Sequence, residues 1–153
     1  MTQVLPVAEW LDTADFHLRF AAPSIDEAIP LLLRAPLTRE CGDDNAAQQV
    51  IDSIVKRERD GSTVCGPVAL PHTRTSAVKR FVLSLGINAR GVIEGQAEPR
   101  LILAFVSPEA KREDHLRLLA TLARLAQNPA VVDQLTSATS AEQVEKILDA
   151  AGG

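Results

Sequence analysis

Aromatic residues are scarce in this sequence, which has no tyrosine, one tryptophan and four phenylalanines among 153 residues. Proteins that bind single-stranded nucleic acids without sequence preference stack successive bases on aromatic side chains. Such a stacking platform is therefore excluded, and the core must be built mainly from aliphatic side chains. A chain of this length is predicted to fold as one domain, residues 1–153, with a core of its own.

The chain also has no excess of positive charge, since its formal net charge is −4 at pH 7 and its pI is about 5.4. A general nucleic-acid-binding protein would normally be basic, so we expect no nucleic-acid partner. Basic residues are nevertheless concentrated in one region, at Lys56, Arg57, Arg59, Arg74, Lys79 and Arg80. They form either an ordinary solvated surface or a local positive field that suits a phosphoryl group.

Cysteine is rare as well. Cys41 and Cys65 are not spaced as metal ligands and do not indicate a disulfide framework. Cys65 lies among apolar residues, and we predict that it is a small core residue. A metal site formed by His72 and His115 is an alternative, but no Asp, Glu or Cys accompanies them at ligand spacing. We therefore predict neither a metal nor any other cofactor.

Long apolar runs are absent from the sequence. The N-terminal residues Met1–Pro6 lack a basic segment followed by an apolar stretch, so they do not resemble a signal peptide. No uninterrupted apolar segment approaches the length that is needed to span a membrane. We expect a cytoplasmic protein with no direct membrane insertion.

The first half of the chain shows one strand pattern and two helix patterns. Alternating apolar and polar residues predict a strand at Phe16–Phe20, with His17 on its exposed face. Ser24 and Glu27 form a capping box that begins a helix. Pro36 is predicted to end this helix, because proline lacks a backbone N–H, and a loop follows. The next helix is predicted to begin at residue 43, 44 or 45 and to end near residues 60–61.

The second half alternates between apolar runs and helical periodicity. It predicts strands at residues 81–87 and 101–106, a helix over residues 111–128, and short helices from residues 131 and 140. The apolar stripe of the 111–128 helix is predicted to comprise Leu116, Leu119, Ala120, Leu122, Ala123 and Ala126. Strands interspersed with helices predict an α/β or α+β sandwich with a mixed sheet. Residues 1–15 are expected to form an N-terminal flap, and residues 152–153 a tail.

The stretch from Arg57 to Arg74 combines a helix end, a turn broken by glycine and proline, a short apolar strand and a histidine. Pro71 biases Leu70 toward an extended conformation, so the strand is predicted to end there, with His72 at its exit. A histidine in this setting can have one ring nitrogen anchored and the other open. That is the geometry that a nucleophilic histidine needs.

This stretch resembles the active-site signature of the fructose/mannitol-type IIA domains of the sugar phosphotransferase system, which include the nitrogen-regulatory IIA proteins. The shared features are Arg-Glu before Gly-Ser-Thr, a glycine-containing turn and Val-Ala-Leu-Pro-His, within a similarity that spans about residues 16–150. The resemblance implies a small mixed sheet flanked by helices on both sides. It also implies a phosphocarrier that accepts a phosphoryl group on His72 from a small protein such as HPr and passes it to a IIB-type acceptor.

The resemblance assigns roles to other residues too. His115, within His-Leu-Arg-Leu-Leu, matches the family's second active-site histidine, which orients the first or hydrogen-bonds to the phosphoryl group. Arg57 matches the family's arginine, whose guanidinium grips phosphate with two hydrogen bonds. Ser62 and Thr63 either donate to the phosphate or only shape the turn, and Arg74 is a further candidate phosphate contact. The structural alternatives are a helix-capping or surface histidine at His115 and a solvated cation at Arg57.

Two features depart from the common family pattern. The turn between Thr63 and His72 is one residue shorter and has fewer glycines, and Thr73 stands where a small residue often follows the histidine. A second interpretation of the same fold is a stand-alone regulatory module of the nitrogen-regulatory type. Such a module would bind a transporter, kinase or enzyme according to its phosphorylation state, without taking part in sugar transport.

Overall fold

The computed structural model describes residues 14–88, 92–93, 96–97 and 99–152. The strands in these ranges are β1 (Asp15–Phe20), β2 (Val68–Ala69), β3 (His72–Thr75), β4 (Val82–Asn88), β5 (Val92–Ile93), β6 (Gln96–Ala97) and β7 (Leu101–Pro108). The helices are α1 (Ile25–Cys41), α2 (Asp44–Asp60), α3 (Arg112–Ala126), α4 (Pro129–Thr136) and α5 (Ala141–Gly152). Residues 1–13 of the predicted flap and residue 153 of the predicted tail lie outside the described residues.

Strand β7 is the centre of a five-stranded mixed sheet. β4 pairs with β7 in the antiparallel direction, and β1 pairs with β4 in the parallel direction. β2 and β3 both run parallel to β7 along its other edge. All eight residues of β7 are buried, as expected for a strand that is covered on both faces.

Helices cover both faces of this sheet. One core cluster joins it to α1 and α2 through residues such as Leu32 and Ile51, and the other joins it to α3, α4 and α5 through residues such as Leu118 and Leu148. The arrangement confirms the predicted sandwich, in which a mixed sheet is flanked by helices on both sides. Within the described ranges, no helix is long and apolar enough to cross a membrane.

Helix α1 is longer than the sequence pattern predicts. It begins as expected, with the backbone N–H of Glu27 donating to Ser24 Oγ at 3.3 Å. It then continues through Pro36 to Cys41, so the prediction that Pro36 ends it was wrong. Pro36 is buried with the apolar face of the helix, and the packing of that face outweighs one missing backbone hydrogen bond. Gly42 ends the helix, because its φ of 71° turns the chain left-handed.

The strand that leads to His72 is interrupted rather than ended. β2 stops at Ala69 and β3 begins at His72, and both pair with β7. Ala69 lies opposite Ile102 and His72 lies opposite Phe105, so the register is the same on both sides of the break. The prediction of a strand exit at His72 was therefore wrong. Pro71 cannot donate to the ladder, but its carbonyl still accepts from the N–H of Phe105 at 3.0 Å.

Helix α3 packs with a different face from the one predicted. Its buried residues are His115, Leu118, Thr121, Leu122 and Leu125, whereas Leu116 is 51% exposed and Ala120 is also exposed. Of the predicted stripe, only Leu122 belongs to the buried face, with Leu119 and Ala126 partly buried beside it. The segment is so rich in leucine and alanine that several helical faces look apolar. The observed face places His115 against the sheet.

Two further side chains lie differently from expectation. Cys65 is exposed, because it belongs to a turn in which its backbone pairs with Val68, and it is not a core residue. His17 is half-buried rather than exposed, and its Nε2 is a buried atom without a hydrogen-bond partner among the described residues. Its strand, β1, is covered by α1, and this tertiary contact is not visible in the alternation of the sequence.

Candidate functional site

The ring of His72 is held between the sheet and the loop that precedes it. It stacks on the fully buried ring of Phe105, with 5.0 Å between the ring centroids and 7° between the planes. Phe105 lies directly opposite His72 in the parallel ladder between β3 and β7. The stacking contact leaves His72 half-buried and fixes the plane of its ring.

One nitrogen of His72 is anchored by the backbone. Its Nδ1 lies 2.6 Å from the carbonyl oxygen of Leu70. A carbonyl oxygen can only accept a hydrogen bond, so Nδ1 must carry the hydrogen. In the neutral ring, Nε2 then holds the lone pair and is the nucleophilic atom. The expectation that one ring nitrogen is anchored is confirmed.

His115 is a buried histidine whose ring is in contact with that of His72. Its ring centroid is 5.5 Å from that of His72 and 5.4 Å from that of Phe105, and its Nδ1 is 2.8 Å from the buried hydroxyl of Ser107. Burial, and then the charges of His72, Arg74 and Arg57, lower the pKa of His115 to about 4. The ring is therefore uncharged at neutral pH. It is neither a helix cap nor a surface residue, because Lys111 occupies the N-cap position and His115 is 7% exposed.

Arg57, Thr63 and His72 line one open depression of about 430 Å³, together with Glu58, Asp60 and Gly61. Arg57 is exposed on the last turn of α2, as the sequence predicted. In the part of the chain that the structure describes, its side chain forms no ion pair or hydrogen bond. A guanidinium in this state can bind an anion without giving up a partner.

The two hydroxyl residues of the loop are already engaged. Thr63 donates its backbone N–H to Glu58 Oε2 at 3.1 Å and its hydroxyl hydrogen to Glu58 Oε1. Its oxygen accepts the N–H of Leu70 at 3.0 Å. Ser62 Oγ accepts the N–H of Val64 at 3.1 Å, which shapes the turn. Thr63 has no hydroxyl hydrogen left to donate, so a direct phosphate contact by that hydroxyl would require a change in this network.

Arg74 lies at the edge of the site. It is two residues beyond His72 on β3, and it donates from Nη1 to the carbonyl of Glu109 at 3.5 Å. It lines a second, smaller depression with Thr73 and residues of α2. The structure therefore does not bring Arg74 into the depression of Arg57 and His72, although its charge contributes to lowering the pKa of His115.

Sequence reasoning missed Glu58, Phe105 and Ser107. Glu58 follows Ile54 by four residues and shares the buried face of α2, so a carboxylate on an apolar face was the available signal. Phe105 and Ser107 are two residues apart in β7, and strand alternation places both on one face. Nothing in the sequence indicates that His72 lies opposite Phe105. Within the described ranges, no group of three or more His, Cys, Asp and Glu side chains is placed to hold a metal ion.

The chain matches one family model over residues 10–151, described as "Phosphoenolpyruvate-dependent sugar phosphotransferase system, EIIA 2". One relative is the PTS system fructose-specific EIIA component of Haloferax volcanii, which is 28% identical over 79% of this chain and 80% of its own length. Another is the nitrogen regulatory protein of Pseudomonas aeruginosa, which is 34% identical over 67% of this chain and 69% of its own length.

The fold is shared with solved structures, including two from Neisseria meningitidis and Escherichia coli. The nitrogen regulatory protein IIA-Ntr of Neisseria meningitidis is 24% identical, with a TM-score of 0.80 over 92% of this chain and 99% of that chain. A complex of enzyme IIA mannitol with phosphorylated enzyme IIB mannitol of Escherichia coli gives a TM-score of 0.69 at 19% identity, over 89% of this chain and 94% of that chain. At these identities the likeness establishes the architecture.

Proposed function

Because the chain belongs to the EIIA 2 family of the phosphoenolpyruvate-dependent sugar phosphotransferase system, we propose that it carries a phosphoryl group on Nε2 of His72. The observation that carries this proposal is the hydrogen bond from Nδ1 of His72 to the carbonyl of Leu70. It leaves the lone pair on Nε2, in a residue that lines the same depression as an unpaired arginine. A nucleophile and a phosphate-binding cation are the two elements that phosphoryl transfer requires most.

The transfer step needs no proton movement at His72. The lone pair of Nε2 attacks phosphorus, a nitrogen–phosphorus bond forms, and the electron pair of the donor's bond returns to the donor atom. The ring then carries its hydrogen on Nδ1 and acquires positive character. The Leu70 carbonyl, which already accepts from Nδ1 at 2.6 Å, stabilises that charge. The same bond therefore prepares the nucleophile and supports the product.

Arg57 and His115 assist the transfer without carrying the group. The guanidinium of Arg57 neutralises charge on the phosphoryl oxygens from the rim of the depression. His115 stays neutral because its pKa is lowered to about 4, so it retains one N–H donor without a charge. When the Ser107 hydroxyl donates to Nδ1 of His115, the hydrogen of that ring lies on Nε2.

The partners follow from the family. We assign the donor role to a small HPr-like phosphocarrier and the acceptor role to a IIB-type domain in the cytoplasm. The second candidate is a stand-alone regulatory module that binds a transporter or kinase according to its phosphorylation state. It is supported by the 34% identity to a nitrogen regulatory protein, whereas the fructose-specific relative supports the transport role.

The test of the phosphocarrier role is labelling by a relay of purified enzyme I and HPr that starts from phosphoenolpyruvate. We expect an acid-labile phosphate on the wild type, none on His72→Ala, and slower labelling of His115→Ala. Full labelling of His72→Ala would refute the assignment. Loss of label in His115→Ala with retention in His72→Ala would reverse the two roles.

A second assay separates transport from regulation. The labelled chain is mixed with a purified fructose-type IIB domain, and transfer of the label is followed with time. Rapid transfer supports the transport role. Retention of the label, together with a phosphorylation-dependent interaction with a transporter or kinase, supports the regulatory module.

A further inference from the structure

We propose that Glu58 is a positioning residue for His72 and acts through Thr63 and Leu70. The inference rests on the proposed function, because it concerns how the same histidine is prepared for phosphorylation. A continuous series of hydrogen bonds connects the carboxylate to the ring, and each bond has only one direction available to it.

The first part of the series joins helix α2 to the loop. Glu58 is 8% exposed and lies on the buried face of the helix. Its two carboxylate oxygens accept from the two donors of Thr63, Oε2 from the backbone N–H and Oε1 from the hydroxyl. Both carboxylate oxygens must be acceptors, so an amide in place of the carboxylate would lose one of the bonds. With its hydrogen committed to Glu58, the hydroxyl of Thr63 can act toward other groups only as an acceptor.

The second part of the series holds Leu70, which lies in the interruption between β2 and β3. Its N–H donates to Thr63 Oγ1 at 3.0 Å, and its carbonyl accepts from Nδ1 of His72 at 2.6 Å. Two side chains, rather than the sheet ladder, therefore hold both of its backbone polar groups. The side chain of Leu70 packs against the core. Its backbone N–H is held by the Thr63 hydroxyl. An unsatisfied backbone N–H at this half-buried position would be costly.

All donors in the series point toward the carboxylate. His72 donates to Leu70, Leu70 donates to Thr63, and Thr63 donates to Glu58. The N–H and the carbonyl of Leu70 belong to two different peptide groups, so the series acts by holding the Leu70 backbone in place and thereby fixing the acceptor that faces Nδ1 of His72. The series therefore favours the tautomer of His72 with hydrogen on Nδ1. A ring released from it would populate both tautomers, and only one of them presents the Nε2 lone pair to an incoming phosphoryl group.

The test compares the tautomer of His72 among variants by nitrogen-15 NMR of the unmodified protein, at a pH where the ring is neutral. Thr63→Val removes the hydroxyl, and Thr63→Ser retains it. Glu58→Gln removes one acceptor. The matched control is Thr38→Val. The hydroxyl of Thr38, in the last turn of α1, also donates to a carboxylate at 3.0 Å, that of Asp44 at the start of α2. Labelling rates are measured on the same set, at several concentrations of the donor.

We expect wild type, Thr63→Ser and Thr38→Val to show the Nδ1–H tautomer alone. Thr63→Val and Glu58→Gln should show both tautomers, and their maximal labelling rate should fall roughly tenfold with little change in apparent donor affinity. Should Glu58→Gln fail to fold, the Val and Ser variants of Thr63 decide the matter by themselves. A single Nδ1–H tautomer in folded Thr63→Val would overturn the inference.

The readouts also separate this inference from the proposed function. If the tautomer responds as expected but the wild type takes no label at His72, the phosphocarrier proposal fails and the positioning role of Glu58 stands. If the wild type is labelled at His72 and the tautomer is the same in all variants, the phosphocarrier proposal stands and the positioning role fails.

Discussion

The depression beside His72 and the depression beside β1 both contain arginines, but these arginines have different partners. Beside β1, Arg39 binds the carboxylate of Asp15 at 2.9 and 3.1 Å, and Arg80 lies 3.5 Å from Glu40. Beside His72, Arg57 has no such partner among the described residues.

The difference shows which of the two sites is suited to an anion. An arginine that is already paired must give up a carboxylate before it can bind phosphate, whereas an unpaired arginine gains a partner. Burial and then the charge of His72 are the larger causes of the lowered pKa of His115, and the charges of Arg74 and Arg57 add to them. Positive charge alone therefore does not identify a phosphate site, since both depressions contain it.

The largest effect that we expect is a loss of folding stability at low pH, where protonation of His115 would add a positive charge beside His72. The pKa of His115 is about 4 in the folded chain, against about 6.5 when unfolded. At pH values between these two pKa values, His115 is protonated in the unfolded state and neutral in the folded state. The stability contributed by neutral His115 is present above about pH 6.5, and up to about 3 kcal/mol is lost as the pH falls to about 4.

The measurement is the free energy of unfolding in urea at several pH values for wild type and His115→Gln. The variant lacks this titration, so the difference between the two proteins should change over that pH window. A difference that is independent of pH would contradict the lowered pKa. Carboxylates that titrate in the same range affect both proteins and cancel in the comparison.

The next effect is the loss of the unpaired arginine. Arg57→Ala should slow labelling of His72 by roughly ten- to hundredfold, because hydrogen bonds to charged groups contribute about 1.5–3 kcal/mol. Arg57→Lys should slow it as well, since an ammonium does not reproduce the two-pronged contact of a guanidinium. Arg80→Ala, on the other depression, is the control and should label normally. Equal rates for Arg57→Ala and Arg80→Ala would remove the distinction between the two sites.

Phosphorylation should change the affinity of a partner that docks over His72 by about 1–3 kcal/mol, a usual size for coupling between sites. The phosphoryl group brings roughly −1.5 to −2 charges beside Arg57, by analogy with other phosphorylated side chains. Because exposed charges are screened over about 8 Å at physiological ionic strength, added salt should reduce the difference. The measurement is the partner's affinity for the two forms at two salt concentrations. Equal affinities, or a large backbone rearrangement on phosphorylation, would contradict a mechanism based on charge.

The smallest effect is expected where the charges are paired. Arg39→Ala removes an exposed ion pair with Asp15 and should change the free energy of unfolding by about 0.5 kcal/mol or less. The labelling rate of His72 should not change. A loss of labelling in this variant would mean that the β1 depression takes part in the reaction.

Residues with a local signature were the ones that sequence reasoning placed best. Ser24 caps α1, α2 ends at Asp60 and the sandwich architecture is present, because caps and apolar periodicity depend on neighbours in the chain. Predictions that required knowledge of packing were less accurate. Proline at Pro36 is tolerated because its helix face is buried, and Cys65 is exposed because its turn lies outside the core.

The sequence by itself determined that His72 follows Pro71 and that Arg57 lies on the last turn of a helix, and through these residues it indicated the family. Only the tertiary structure decided which nitrogen of His72 is free. That choice depends on the carbonyl of Leu70, whose backbone is hydrogen-bonded to Thr63, which in turn donates to Glu58. It also depends on the stacking of the His72 ring on Phe105, which lies in a paired strand that is distant in the sequence. Tautomers and pKa values are set by atoms a few ångströms away in space, and those atoms come from parts of the chain that only folding brings together.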